Sequence, residues 1–202
     1  MAIEDIAVVF YSGTTPAVSG KTLNSYNSGL TAGELDADLD GYDTGASTGV
    51  SFDLGTSRTV STNGRNAGAT TLISETNREG AYDSSASNTC TDTFTVPSTV
   101  TAVDVVVYLC TTFADQTDMD VDVNGSTQTA FDSSNNTTGS VLTFSGIAPN
   151  GSNQIDIQIT DNESSLDFIF INGYGLQNFV EAADPYVQPL EQKIYRKSGR
   201  FL

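Results

Sequence analysis

The chain has 202 residues and a formal net charge of −17, yet only 16% of its residues are charged, so almost all of its charge has one sign. Such a balance disfavours nucleic acid and anionic membranes as partners of the main body. The sequence contains no histidine and two cysteines, which removes the commonest general base and rules out a zinc site built from these residues alone. The length fits one domain with a tail.

The first half of the chain predicts few regular elements. Residues 3–11 predict an opening strand, whereas residues 12–49 are rich in glycine and small polar residues and predict irregular turns. Residues 50–54 form the next strand candidate. Residues 90–96 alternate cleanly, which predicts a strand with one apolar face and one face of threonines.

The second half predicts strands at shorter intervals. Residues 103–109 are nearly all apolar, which predicts a central strand covered on both faces. Residues 119–123 alternate, and an Asn124-Gly125 turn after them predicts a hairpin with residues 128–131. No segment predicts a helix, and three more strands are predicted at 140–144, 155–159 and 166–171. About eight short strands separated by turns predict an all-β jelly-roll β-sandwich over residues 1–180.

The end of the chain, residues 181–202, has a different composition. Its last ten residues, 193–202, hold four of the eight basic residues of the chain and none of the 25 acidic ones. These ten residues therefore have a net charge of +4, and the other 192 residues have a net charge of −21. Apolar side chains interleave with these cations. We therefore predict an extended basic-aromatic arm that docks on its own acidic body, on a symmetry mate or on another protein, through Lys193, Ile194, Tyr195, Arg196, Lys197, Arg200, Phe201 and Leu202.

Five segments in the body occur in a familiar order, namely TGVSFDL (48–54), TFTVPSTVTAVDVVVYL (93–109), MDVDVNGSTQTAFD (119–132), VLTFSGI (141–147) and IDIQITDNESSLDFIFINGYGL (155–176). Together they resemble the galactose-binding-like jelly-roll modules of the malectin and carbohydrate-binding-module type. The resemblance spans residues 24–178 and implies a β-sandwich whose loops hold sugar through exposed aromatics. Because the chain has no tryptophan, the loop candidates for glycan contact are Tyr26, Tyr42 and Tyr82.

An acidic loop is the candidate metal site. Asp36, Asp38 and Asp40, followed by a glycine, match the first half of a calcium-binding EF-hand loop. The second half does not match, because Ser47 stands where the last glutamate would be. A calcium ion and a solvated acidic loop are both open readings, and no other cofactor is expected.

A second acidic series lies in the predicted hairpin. Asp118, Asp120 and Asp122 share one face of their strand, where a row of like charges would blunt edge-to-edge pairing. Paired carboxylates also serve glycosidases. We expect a solvated face here and no enzyme activity.

The two cysteines, Cys90 and Cys110, flank a predicted strand–turn–strand segment. If the two strands are neighbours, the cysteines would face each other and a disulfide could form. Two buried thiols are the alternative, which synthesis in a cytoplasm favours.

The start of the chain bears on location. Glu4 and Asp5 stand where a secretory signal would carry positive charge. We expect a non-enzymatic structural protein of a bacteriophage virion (a head decoration, fibre or tail component), made in the host cytoplasm. Its arm would dock on capsid or tail subunits, and the protein would form homo-oligomers. The alternative is a carbohydrate-binding module that attaches a particle or an enzyme to glycans.

Overall fold

The computed structural model describes residues 3–10, 19–27, 29–61, 80–83, 89–109, 116–132, 141–163 and 169–183. These ranges contain only strands, turns and bends, so the predicted all-β class is confirmed. Within them there is no helix of the length and apolarity that crossing a membrane requires. The strands are β1 (Ile6–Phe10), β2 (Asn24–Tyr26), β3 (Gly29–Leu30), β4 (Gly33–Asp36), β5 (Ser51–Leu54), β6 (Arg58–Ser61), β7 (Gly80–Asp83), β8 (Thr89–Thr95), β9 (Val100–Tyr108), β10 (Met119–Val123), β11 (Ser126–Phe131), β12 (Val141–Ile147), β13 (Gln154–Asp161), β14 (Ile169–Ile171) and β15 (Gly173–Glu181).

The strands form two large sheets and one small one. The five-stranded sheet has the order β12-β9-β15-β1-β2, and the six-stranded sheet has the order β11-β10-β13-β8-β5-β4. A single apolar core contains inward-facing side chains from both, so they are the two layers of a sandwich. The four-stranded sheet, β14-β7-β6-β3, contributes Leu30, Ile169 and Ile171 to the same core.

Alternation of apolar and polar residues explains which strands line this core. In β13, Ile155, Ile157 and Ile159 are fully buried while the residues between them are not. The predicted central strand is confirmed as β9, which pairs with β12 on one side and β15 on the other. Its odd-numbered valines join the main core, and Val106 and Tyr108 join a second apolar cluster on the opposite face.

The predicted hairpin is also confirmed. β10 and β11 pair antiparallel, with Val123 opposite Ser126. Asn124 and Gly125 both have positive φ values, of 46° and 86°, which is the backbone of a type I′ turn. Asparagine and glycine tolerate this left-handed conformation best, so this turn could be read from the sequence.

One prediction about strand placement is wrong, and two further features of the strand order bear on the sequence analysis. The segment 12–49 is not wholly irregular, because it contains β2, β3 and β4, which are too short to show a period. β10 pairs with both β11 and β13, so its row of aspartates does not lie on an edge strand. β8 and β9 are not neighbours in one sheet, because the chain crosses from the six-stranded to the five-stranded sheet between them. The disulfide between Cys90 and Cys110 was predicted on the condition that these two strands are neighbours, and this condition is not met.

The described chain ends just after β15. The amide of Ala182 donates to the carbonyl oxygen of Thr99 at 2.7 Å, which holds the end of β15 against the start of β9. Residues 184–202, which include every arm residue predicted to bind a partner, lie outside the described part. The division into a body of residues 1–180 and an arm stays a prediction.

Candidate interaction surface

The outward face of the six-stranded sheet is polar and acidic. The strand register places Glu34 opposite Asp53, and Asp53 and Asp156 on either side of Thr93, in one row across β4, β5, β8 and β13. Asp156 is held by Thr93 Oγ1 at 2.8 Å and by Asn150 Nδ2 at 3.0 Å. Glu34 and Asp53 have the same sign and face each other across a strand pair, an arrangement that costs stability unless a cation is near.

The aspartates of β10 form the other side of this face, and they organise the hairpin. Asp122 accepts a hydrogen bond from the Gly125 amide at 2.8 Å and another from Thr127 Oγ1. Asp120 accepts one from the Ala130 amide at 3.0 Å, where Ala130 has a φ of 56°. These carboxylates therefore stabilise the turn and the irregular register of β11, which is more than the solvated face predicted from the sequence.

The acidic loop after β4 is closed by its own hydrogen bonds. Asp36 accepts from Tyr26 Oη at 2.8 Å and from the Asp38 amide at 3.0 Å. Asp38 in turn accepts from Ser47 Oγ and, at 2.8 Å, from the Gly49 amide. The hydrogen bonds from Ser47 and Gly49 lower the pKa of Asp38, because they favour its charged form.

The third aspartate of the loop, Asp40, is placed through its backbone. Its amide donates to Asn24 Oδ1 at 2.9 Å, and its carbonyl oxygen accepts from Asn24 Nδ2 at 3.0 Å. Among the residues that the structure describes, no three acidic or cysteine side chains are grouped as a metal ion would need. The calcium site at Asp36, Asp38 and Asp40 stays a prediction.

Calcium binding has a direct thermal test. If calcium binds the folded loop, millimolar calcium should raise the melting temperature, since a ligand that binds only the folded state stabilises it. Asp38→Asn should abolish that rise. Magnesium at the same concentration is the control for ionic strength, and an equal response to both ions would leave general charge screening as the explanation.

The structure describes the side chains of two of the three tyrosines that were predicted to contact glycans. Tyr42 is buried, with 7% of its surface exposed, and it packs in the second apolar cluster under Lys21, whose Nζ is 5.2 Å from the ring centroid. Tyr42 therefore does not present a solvent-facing ring, and its contact with a glycan stays a prediction. Tyr26 ends strand β2, and its pKa is raised by burial and by its hydrogen bond to Asp36. Tyr82 lies in strand β7, not in a loop, and its side chain is outside the described part.

The described part of the chain contains two basic residues, and both are paired. Lys21 forms an exposed ion pair with Asp43. Arg58 is buried between the sheets, where its two terminal nitrogens contact the two oxygens of Asp92 at 2.7 and 2.6 Å. The described surface therefore carries many carboxylates and one cation, which makes it complementary to a basic partner.

The buried pair is part of a polar cluster that the sequence analysis missed. Asp92 also accepts hydrogen bonds from Tyr174 Oη and from the Gly55 amide, the latter at 3.2 Å. Burial and the neighbouring Asp92 raise the pKa of Tyr174 well above its ordinary value. The signal was present, because Asp92 occupies an inward position in the alternation of β8, and a charge there requires a buried partner.

Two further predictions concern residues that the structure describes only in part. Cys90 is buried in β8, while Cys110 lies outside the described residues, so the disulfide stays a prediction. The arm from Lys193 to Leu202 likewise lies outside them.

Comparisons with known proteins do not identify a family. No family model matches the chain, and no curated protein matches it. One similar solved structure is an exo-β-1,3-galactanase from Phanerochaete chrysosporium with galactose, which is 17% identical to this chain. The alignment covers 62% of this chain and 32% of the galactanase chain, with a TM-score of 0.31. A variant of that enzyme with β-1,3-galactotriose is 14% identical, and the alignment covers 62% of this chain and 27% of the variant's chain, with a TM-score of 0.34. The chain thus spans about a third of these structures, and the likeness carries no functional argument.

Proposed function

We propose that this chain is a non-enzymatic structural protein of a bacteriophage particle, attached to capsid or tail subunits through its basic-aromatic arm. The observation that carries the proposal is the separation of charge, +4 in the last ten residues against −21 in the remainder. An acidic body keeps copies apart in solution, while a short arm of opposite sign recognises an acidic groove on a partner.

The two cations of the body that the structure describes support this division. Arg58 is buried with Asp92, and Lys21 pairs with Asp43, so neither is available to a partner without breaking a contact. The arm holds Lys193, Arg196, Lys197 and Arg200 within eight positions, with Tyr195 among them. Cations interleaved with aromatic and aliphatic side chains fit a site that combines acidic groups and apolar pockets.

The roles of the carboxylates support a structural protein rather than a glycosidase. Asp120 and Asp122 bind backbone amides of their own hairpin, and Asp156 binds Thr93 and Asn150. A general acid–base pair instead needs two carboxyl groups in environments that separate their pKa values. The hydrogen bonds of these three aspartates stabilise the sheet and its turns.

Deleting Lys193–Leu202 should abolish incorporation into particles while leaving the body folded, because the last core strand in the described part of the chain ends at Glu181. Incorporation is measured by quantitative mass spectrometry of purified particles, and folding by the thermal melting of the unassembled chain. A truncated chain that reaches wild-type occupancy would contradict the proposal.

A matched variant separates charge from apolar contact in the same assay. Replacing the four arm cations with glutamine keeps the length and the apolar residues, so a large loss of occupancy would assign the docking to charge. Replacing Ile194, Tyr195, Phe201 and Leu202 with serine keeps the charge of +4 and tests the apolar part. Occupancy of the wild-type chain should also fall as salt is raised.

Glycan attachment is the second candidate function. It is favoured by the outward face of the six-stranded sheet, where Thr91, Gln158 and Asp122 lie opposite one another on neighbouring strands and offer hydrogen-bonding groups. A glycan array is the test. A reproducible hit that weakens on Gln158→Ala, an exposed position, would favour a carbohydrate-binding module over a purely structural role.

A further inference from the structure

We infer that the open edge of strand β4 is the docking surface for the chain's own arm, Lys193–Leu202, before the protein meets its particle. This inference rests on the proposed function in taking the arm to be a docking element. Beyond that function, it names the surface that the arm occupies before the protein is assembled into a particle.

β4 is the last strand of the six-stranded sheet, and in the described part of the chain no strand pairs with its outer side. Such an edge presents unpaired backbone groups to any extended segment. Its core-facing Leu35 packs only partly into the core, so an added strand would also cover apolar surface. The edge thus offers both hydrogen bonds and burial.

The charge on this edge selects the occupant. Glu34 and Asp53 face each other across β4 and β5 without a described cation nearby, and Asp36 follows in the same strand. Negative charge repels every acidic segment of this chain, so it guards the edge against ordinary strand pairing. The arm is the one segment of the sequence with a net charge of +4.

The spacing of the arm's cations fits an added strand, whichever of the arm's two faces lies on the side of the carboxylates. Alternate residues of a strand share a face. If the odd positions face Glu34 and Asp53, that face receives Lys193 and Lys197. If the even positions face them, it receives Arg196 and Arg200. Either alternative places two cations on the face of the sheet that carries Glu34 and Asp53.

The place where the described chain ends makes the intramolecular arrangement reachable. Ala182 bonds to Thr99, beside the turn that begins at Pro97. Pro97 is also next to Gly49, where an added Cβ would lie 3.5 Å from Pro97 Cγ, and Gly49 bonds to Asp38. Ala182, near the end of the described part, therefore lies at the same end of the body as the acidic loop that follows β4. Residues 184–192, which join this point to the arm, span up to about 30 Å when extended, and this reach allows the arm to return to β4.

Hydrogen exchange of the unassembled full-length chain tests this inference. We expect the peptide covering β4 to exchange on the order of tenfold more slowly in the wild type than in a variant whose four arm cations are glutamine. Glu34→Lys should remove the same protection, while Glu34→Gln should remove less of it. The peptide covering β11, at the opposite edge of the same sheet, is the internal control and should exchange equally in all variants.

Two outcomes would overturn the inference. Equal exchange of β4 in the wild type and in the glutamine variant would mean that the arm does not occupy this edge. Protection that appears only on dimerisation, followed by analytical ultracentrifugation, would assign the edge to the arm of a second copy. Because the assay contains no particle, its failure leaves the incorporation assay standing, and the reverse also holds.

Discussion

Replacing Asp92 with alanine is expected to lower the free energy of unfolding by about 3–5 kcal/mol, because a buried guanidinium would lose its counter-charge. Arg58 and Asp92 are both fully buried as side chains, and their contact is bidentate. Tyr174 and Gly55 would lose an acceptor at the same time. Urea denaturation followed by circular dichroism measures the loss.

A matched control and a double variant make this prediction specific. Asp53→Ala, on the outward face of the adjacent strand β5, should change stability by less than about 0.5 kcal/mol. Replacing the pair together, as Arg58→Met with Asp92→Leu, should recover most of the loss, since apolar side chains of similar size need no counter-charge. A double variant as unstable as Asp92→Ala would mean that the pair contributes through more than charge compensation.

The position of this cluster explains why its effect should be large. Arg58 lies in β6 of the four-stranded sheet, Asp92 in β8 of the six-stranded sheet and Tyr174 in β15 of the five-stranded sheet. One carboxylate therefore connects all three sheets. Phe10 of β1 packs against Arg58, whose guanidinium carbon lies 5.9 Å from the ring centroid.

The sequence was sufficient to predict elements that rest on local pattern. β8, β10 and β13 alternate over five to eight residues, and the Asn124-Gly125 turn has a backbone that few other residue pairs adopt. Burial and turn conformation follow from nearest neighbours in such segments. That is why these strands and the hairpin were predicted within a few residues of their bounds.

The pairing of distant segments could not be read in the same way. β2, β3 and β4 have two to four residues each, too few for a period, and their partners are distant in sequence. The crossing of the chain from one layer to the other between β8 and β9 leaves no local mark. The same holds for Arg58, whose partner lies 34 positions away.

The candidate surface likewise combines features that the sequence shows directly with features that depend on the fold. Charge separation between body and arm is a property of composition and was visible at once. The row of Glu34, Asp53 and Asp156 depends on the register of four strands and appears only in three dimensions. Conversely, the glycine-rich surroundings of Tyr42 left a solvent-facing ring open, but the loop buries Tyr42 in the apolar cluster that also contains Val9 and Val106.

Gly55→Ala is the second substitution for which we expect a large loss, of about 3 kcal/mol, because it would force backbone to move inside a packed region. An added Cβ at this position would lie 1.8 Å from the carbonyl oxygen of Thr91, far closer than two such atoms can approach. The obstacle is the backbone of β8 rather than a flexible side chain, so it cannot simply rotate away.

The same displacement should weaken the buried cluster, which gives the prediction a second readout. The Gly55 amide donates to Asp92 at 3.2 Å, so moving residue 55 away from Thr91 also moves it from Asp92. In urea denaturation, Gly55→Ala combined with Asp92→Ala should therefore cost less than the sum of the two single losses. Gly151→Ala is the control, because nothing lies within 4 Å of an added Cβ there, and it should change stability by less than about 0.5 kcal/mol. Full additivity of the two losses would show that Gly55 acts only through its contact with Thr91.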